Sequence, residues 1–283
     1  MKRTHSLIIV LAAAAGLAVS AHTFGAGALP AGATAQAAPG TQPQRQGSEF
    51  HLREALAAGR TLEIRGINGN VSAEPAAGGE FEVTATKRAR RSDPDEVRIE
   101  VVRSGEGVLI CAVYPSPDGA ANTCEPGNSR SNVRDNDTVV NFSVRVPAGV
   151  NFKGRTVNGE VGAQNLGADV DVKTVNGGIR VSTAGVARAQ TVNGSITAAM
   201  GRADWPAGLD FKTVNGTIDL TLPASLNAQV EAKTLNGEIT SDFPLTVTGS
   251  FSRRRLTGTI GSGGDRQLIL ETVNGSVQLR RAS

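Results

Sequence analysis

Thr156-Val157-Asn158-Gly159 is the phrase on which the fold turns, because it returns unchanged at Thr174, Thr191, Thr213 and Thr272. Thr234-Leu235-Asn236-Gly237 is a near copy, and Gly66-Ile67-Asn68-Gly69 is an outlying one. The asparagines Asn158, Asn176, Asn193, Asn215 and Asn236 are spaced by 18, 17, 22 and 21 residues. The last step, to Asn274, is 38. Arg255-Leu256-Thr257-Gly258-Thr259-Ile260 keeps the same frame with Thr257 in place of Asn, and divides that gap into 21 and 17. A period near 20 residues marks a stacked repeat in which each unit buries its face only against its neighbours.

Aligned on the asparagine, the repeat falls into columns. One place before stand Val157, Val175, Val192, Val214, Leu235, Leu256 and Val273; three places after stand Val161, Ile179, Ile196, Ile218, Ile239, Ile260 and Val277. Each unit therefore reads strand, Asn-Gly, strand, looser connection. Two architectures satisfy this. Asn-Gly between alternating strands is a strong hairpin signal, which would give an antiparallel hairpin meander. Alternatively, each Asn-Gly is the corner of one coil in a parallel β-solenoid (β-helix). The columns favour the solenoid. Equivalent residues stack at about 4.8 Å in successive coils, where identity gives every side chain its own kind as a neighbour. In a meander successive copies lie two strands apart and gain little from being alike. Six Asn-Gly corners are expected: Asn158-Gly159, Asn176-Gly177, Asn193-Gly194, Asn215-Gly216, Asn236-Gly237 and Asn274-Gly275. Together with the Thr257 frame they should form one continuous stack in chain order. Gly177, Gly194 and Gly216 are expected at positive φ, where a left-handed corner suits glycine.

The remaining chain divides by composition. Lys2 and Arg3 followed by the 13-residue apolar stretch Leu7–Val19 read as an export signal, too short to span a bilayer of about 30 Å. Cleavage is expected after Ala21 or Ala37, so residues 1–37 are signal and leader. Residues 38–59 read as a flexible leader, rich in Ala, Gly, Pro, Thr and Gln at their start. Residues 60–147 alternate as half-buried strands (Thr61-Leu62-Glu63-Ile64 and Val139 to Val146 among them) and should cover or flank one end of the solenoid of residues 148–283. The whole is all-β. Cys111 and Cys124, the only cysteines, are expected to pair in an exported protein.

The phrase Gly66-Ile67-Asn68-Gly69, the Thr-Val-Asn-Gly series and Val144-Arg145-Val146-Pro147-Ala148-Gly149-Val150 resemble the "putative adhesin" family (domain of unknown function 4097), itself similar to β-helical adhesin head domains named for Gly-Ile-Asn. The resemblance spans about residues 60–280. It implies a right-handed β-solenoid of the bacterial envelope, with no catalytic residues to carry over.

Chemistry is constrained by what the chain holds. Histidine occurs only at His5, His22 and His51, which leaves the repeats without a Ser-His-Asp system or histidine-ligated metal. No phosphate-binding loop, dinucleotide fingerprint or CxxC occurs, so no cofactor is expected. The net charge of +3 falls to +1 once Lys2 and Arg3 leave with the signal, which gives no electrostatic warrant for nucleic-acid binding. Three places before the asparagine stand Arg155, Lys173, Gln190, Lys212, Lys233, Arg254 and Glu271. This mainly cationic row, with acidic neighbours Asp171, Asp210 and Glu231 two residues earlier, reads first as a mixed-charge solvent face. Its sharper reading is a shallow face for anionic glycans at Arg155, Lys173, Lys212, Lys233 and Arg254. Aromatics are too few for a sugar-stacking platform: eight Phe, one Trp and one Tyr. The expected function is that of a non-catalytic envelope protein for adhesion, spacing or display, at the periplasm or cell surface, with a glycan or envelope protein as partner. A polysaccharide-active β-helix is the competing class, and it would need carboxylates converging on one cleft.

Overall fold

Parallel pairing settles the architecture. The computed structural model describes residues 45–283 except Asn128, Ala207 and Arg253; the expected signal segment lies outside the described residues. The described chain is almost entirely strand, arranged in two eleven-stranded sheets that are mostly parallel, as in a β-solenoid. Each repeat contributes one strand to either sheet. Val170–Lys173 lies in the second sheet and Ile179–Thr183 in the first, with Thr174-Val175-Asn176-Gly177 turning between them. The alternation of the sequence decides which side faces in. Val170, Val172, Ile179, Val181 and Thr183 are buried while Asp171, Arg180 and Ser182 between them face outward. A fully buried aliphatic side chain contributes about 1.5–3 kcal/mol, so every coil adds to one continuous core.

The columns are real neighbours. Val161 pairs with Ile179, Ile179 with Ile196, Ile196 with Ile218, and Ile218 with Val277, all parallel and in register. The asparagines bridge in parallel in the spatial order Asn68, Asn158, Asn176, Asn193, Asn215, Asn274, Asn236. The hairpin meander is therefore excluded, since each Asn-Gly pairs with the copy above and below and not across itself.

Two features depart from expectation. Asn274 stands between Asn215 and Asn236, so the last repeat in the chain is the penultimate rung in space. Its strands Gln267–Glu271 and Val277–Arg281 insert between those of the two repeats before it. The Thr257 frame is not a coil. Arg255–Ile260 pairs antiparallel with Ala228–Lys233 on one side and with Leu245–Ser252 on the other. Leu256, Gly258 and Ile260 do face inward, but alternation is common to every half-buried strand, whichever way it runs.

The outlying phrase belongs to the stack. Thr61–Arg65 and Val71–Pro75 form a full coil beside the one at Asn151–Arg155 and Val161–Leu166. Beyond it, Gly107–Val113 and Val139–Val146 add one more parallel layer, with residues 114–138 in place of an Asn-Gly corner. Arg98–Ser104 and Glu80–Ala89 then close that end antiparallel. The sheets thus run unbroken across the 147/148 boundary. The described part of the expected flexible leader is not wholly without structure. Phe50–Ala55 pairs antiparallel with Glu80–Ala89, presenting the half-buried Phe50 and Leu52 to the core.

The three corner glycines expected at positive φ are required for a different reason. Gly177, Gly194 and Gly216 are not among the glycines with positive φ. A Cβ at Gly177 would lie 1.9 Å from the Gly159 carbonyl oxygen, and at Gly194 2.0 Å from that of Gly177. Backbone presses on backbone from coil to coil, and only glycine leaves the room.

Candidate functional site

Three surfaces grow from this stack. The first is the corner itself. Each Asn side-chain amide donates to the amide oxygen of the rung beside it: Asn158 to Asn68 at 2.8 Å, Asn176 to Asn158 at 2.8 Å, Asn193 to Asn176 at 2.8 Å, Asn215 to Asn193 at 2.7 Å, Asn274 to Asn215 at 2.7 Å and Asn236 to Asn274 at 2.8 Å. An amide has two N–H donors and two acceptor lone pairs, so each rung between the terminal Asn68 and Asn236 keeps one of each for solvent. Inside the corner, the buried Thr174 and Thr191 hydroxyls each donate at 2.9 Å to the glycine carbonyl of the preceding rung, Gly159 and Gly177. Gly66 replaces threonine in the first coil, where a Cβ would face the Thr156 hydroxyl at 3.3 Å. Beside the asparagines runs an apolar rail. Val157, Val175, Val192 and Val214 are each 39% exposed, Val273 is 38% exposed and Leu235 59%.

The second surface is the cationic row. In space it reads Arg65, Arg155, Lys173, Gln190, Lys212, Glu271, Lys233 and Arg255. The sequence row omitted Arg65, although Arg65 stands three places before Asn68 as the pattern requires. Arg254 does not join it, because the hairpin brings Arg255 opposite Lys233 and leaves Arg254 in the turn before that strand. Insertion of the last repeat puts Glu271 between two lysines, 3.6 Å from Lys212 Nζ and 3.9 Å from Lys233 Nζ. Lys233 also pairs with Glu231 at 2.5 Å and Lys212 with Asp210 at 4.0 Å, so this end of the row is neutralised. At the other end Arg65, Arg155, Lys173 and Lys153 face only Glu63 and Asp171 on the same three rungs. Positive charge gathers at that end.

The third surface is the loop that replaces the corner in the added layer. Cys111 and Cys124 are bonded at 2.00 Å and fasten it to the sheet. Tyr114 is buried beneath, its hydroxyl 2.9 Å from the Thr138 carbonyl, and burial pushes its pKa up. Asn122 donates to the Tyr114 and Asn132 carbonyls at 3.0 and 2.9 Å. Reducing the disulfide is expected to lower stability by about 3 kcal/mol, the loop-closure value for a ring of this size. Denaturant melts with and without a thiol reductant measure this, and equal midpoints would contradict it.

Carboxylates at this end act as staples. Asp137 accepts from the backbone N–H of Ser92 at 2.9 Å and from those of Arg91 and Arg90, and its pKa lies well below the usual range, the Ser92 bond contributing most. Asp95 is lowered from 3.8 to about 2, first by the Ser48 backbone N–H, then by the Ser48 hydroxyl and the Lys87 ammonium. A carboxylate held below its unfolded value stabilises the fold fully above that value, and the contribution is lost as pH falls through the folded one. The thermal midpoint is therefore expected to stay flat from neutral pH to about 5 and to fall between about 4 and 2. Asp137→Asn and Asp95→Asn should blunt that fall; a midpoint unchanged down to about pH 2 would contradict the assignment.

Among the described residues no group of three or more His, Cys, Asp or Glu side chains could hold a metal ion. No described helix is long and apolar enough to cross a membrane. A family model described as Toastrack DUF4097 matches residues 120–280. No curated protein matches the sequence. Among solved structures, a "putative cell adhesion protein" from Clostridium sporogenes is 14% identical, with 83% of this chain and 100% of that one covered and a TM-score of 0.44. A "putative adhesin" from Bacteroides fragilis is 13% identical, covering 82% and 97% with a TM-score of 0.35. Another from Parabacteroides distasonis is 11% identical, covering 83% and 98% with a TM-score of 0.30.

Proposed function

Because the chain belongs to the Toastrack DUF4097 family, we propose that it is a non-catalytic adhesin-like protein that uses its stack to adhere to, space or assemble other envelope components. The observation that carries this is the seven-rung asparagine ladder with its exposed apolar rail. Each rung presents an outward asparagine, and every rung but the first an exposed Val or Leu beside it, which multiplies a weak contact along the stack. The coils are read as right-handed, the hand that nearly all parallel crossovers take. Export is read from the basic and apolar N-terminal pattern, and the disulfide suits an oxidising compartment. The partner is read as a surface glycan or an envelope protein.

Catalysis finds little support in the side chains. The carboxylates along the stack are distributed among cations, as Glu160 with Arg180 at 3.0 Å and Asp219 with Arg280 at 2.7 Å, and do not converge on one cleft. Purified mature protein is expected to bind envelope or glycan surfaces without forming products. A glycan array with a product assay on the same panel tests this, and release of new reducing ends would overturn it. Amino-terminal sequencing of protein from the producing cell should begin after Ala21 or Ala37; an intact Met1 would contradict export.

A further inference from the structure

At the cationic end, the loop after Val113 roofs a cavity of about 290 Å³ where the first coils meet the added layer. That is the volume of roughly ten liquid waters, suited to one small molecule or one terminal residue of a chain. Arg65 and Arg155 line it together with Tyr114, Val157, Ser129 and Arg130.

The two arginines of the sheet are not equivalent. Arg65 is consumed: Nε donates to Glu63 Oε1 at 2.6 Å, and Nη1 donates to the Glu125 carbonyl at 2.9 Å and to Ser129 Oγ at 2.7 Å. Its bonds hold the roof in place. Arg155 is not consumed. Its Nε is buried without a hydrogen bond and makes only a long ion pair, 3.5 Å, to Glu63 Oε1, the oxygen that Arg65 holds at 2.6 Å. The Arg155 side chain as a whole is 39% exposed and lines the cavity, so an acceptor there would meet its outer Nη donors and not the enclosed Nε. Two guanidinium groups against one carboxylate leave a net positive charge, and Lys153 and Lys173 on adjoining positions, offset in part by Asp171, add to it. The planar guanidinium fork matches a carboxylate with two parallel bonds. The apolar Val157 and Ile67 supply a wall against which a ring can rest.

We propose that this cavity binds a small carboxylate of sugar size, a uronic acid or the acidic terminal residue of a glycan, with Arg155 as its main partner. The proposal rests on the glycan reading of the partner: failure of both acids here with binding of other glycans on the array would sink this site alone, and no glycan binding on the array would sink that reading. Calorimetric titration of the full folded chain with glucuronate, with a disaccharide ending in glucuronate, and with glucose tests it. At least one of the two acids is expected to saturate, and the tighter one identifies the source; glucose is expected not to bind. Arg155→Gln should weaken binding about tenfold or more. Glu63→Gln, which removes the competing carboxylate, should strengthen it, an effect that mere damage to the fold would not produce. Lys212→Gln, on the same row beyond Gln190, should leave it unchanged. Binding of glucose as tight as that of the acids, no saturation by either acid, or equal affinity in a folded Arg155→Gln variant would each overturn the proposal.

Discussion

Gly194→Ala is expected to destabilise the protein by about 3 kcal/mol or more, although it adds one methyl group at a surface corner. The added Cβ would sit 2.0 Å from the Gly177 carbonyl oxygen and 2.5 Å from its carbon. Those atoms belong to the backbone of the next coil, which is hydrogen-bonded through the Gly177 N–H to Asn193 and cannot step aside as a side chain would. Relief would require the coils to separate at the corner, breaking the Asn176–Asn193 rung and the bond from Thr191 to Gly177 together. Gly162→Ala is the matched control. It lies in a strand with nothing within 4 Å of its added Cβ, and should be neutral or gain up to about 1 kcal/mol. Denaturant melts of the two variants separate the explanations; similar small effects would show that the corner has slack.

Deleting residues 267–283 should abolish cooperative folding and not merely shorten the stack. In a serial solenoid the last repeat is an end piece. Here its two strands are bonded on both sides, and Leu268, Leu270, Val277 and Leu279 are at most 1% exposed. Four such side chains at about 1.5–3 kcal/mol each amount to most of a typical net stability of 5–15 kcal/mol. The deletion would also remove the Gln267 carbonyl that accepts from the buried Trp205 Nε1 at 3.2 Å. Expected results are loss of the sharp thermal transition and association through the opened edges. A truncated monomer that melts cooperatively near the full-length midpoint would refute the inserted position.

What the sequence discloses is governed by which interactions are local to the repeat. Identical columns disclose the parallel stack because only stacking rewards identity, and the Asn ladder follows directly from it. The order of rungs is not disclosed, because Asn236 and Asn274 carry the same phrase and would serve equally well in either slot. Residues 245–260 were open to misreading for a related reason. Leu256, Gly258 and Ile260 alternate as a coil strand would, yet Thr257 lacks the side-chain amide and the following corner glycine's place against a neighbouring rung. The Gly corners were legible as glycine and not as to cause, since φ and close approach leave the same letter. The cavity depends on residues 114–138, a single segment without a repeat to align. Of its lining, Arg155 was legible in the cationic row, and Arg65 could have been added to it from its place three residues before Asn68.

The seven-rung order is tested most directly by nuclear Overhauser contacts among the side-chain amides of Asn215, Asn236 and Asn274 in the full chain. Adjacent rungs lie about 4.8 Å apart and alternate rungs about twice that, which places only adjacent pairs within easy reach of the effect. Contacts between Asn215 and Asn274 and between Asn274 and Asn236, with none between Asn215 and Asn236, are the expected result. A direct contact between Asn215 and Asn236 would contradict the insertion of the last repeat.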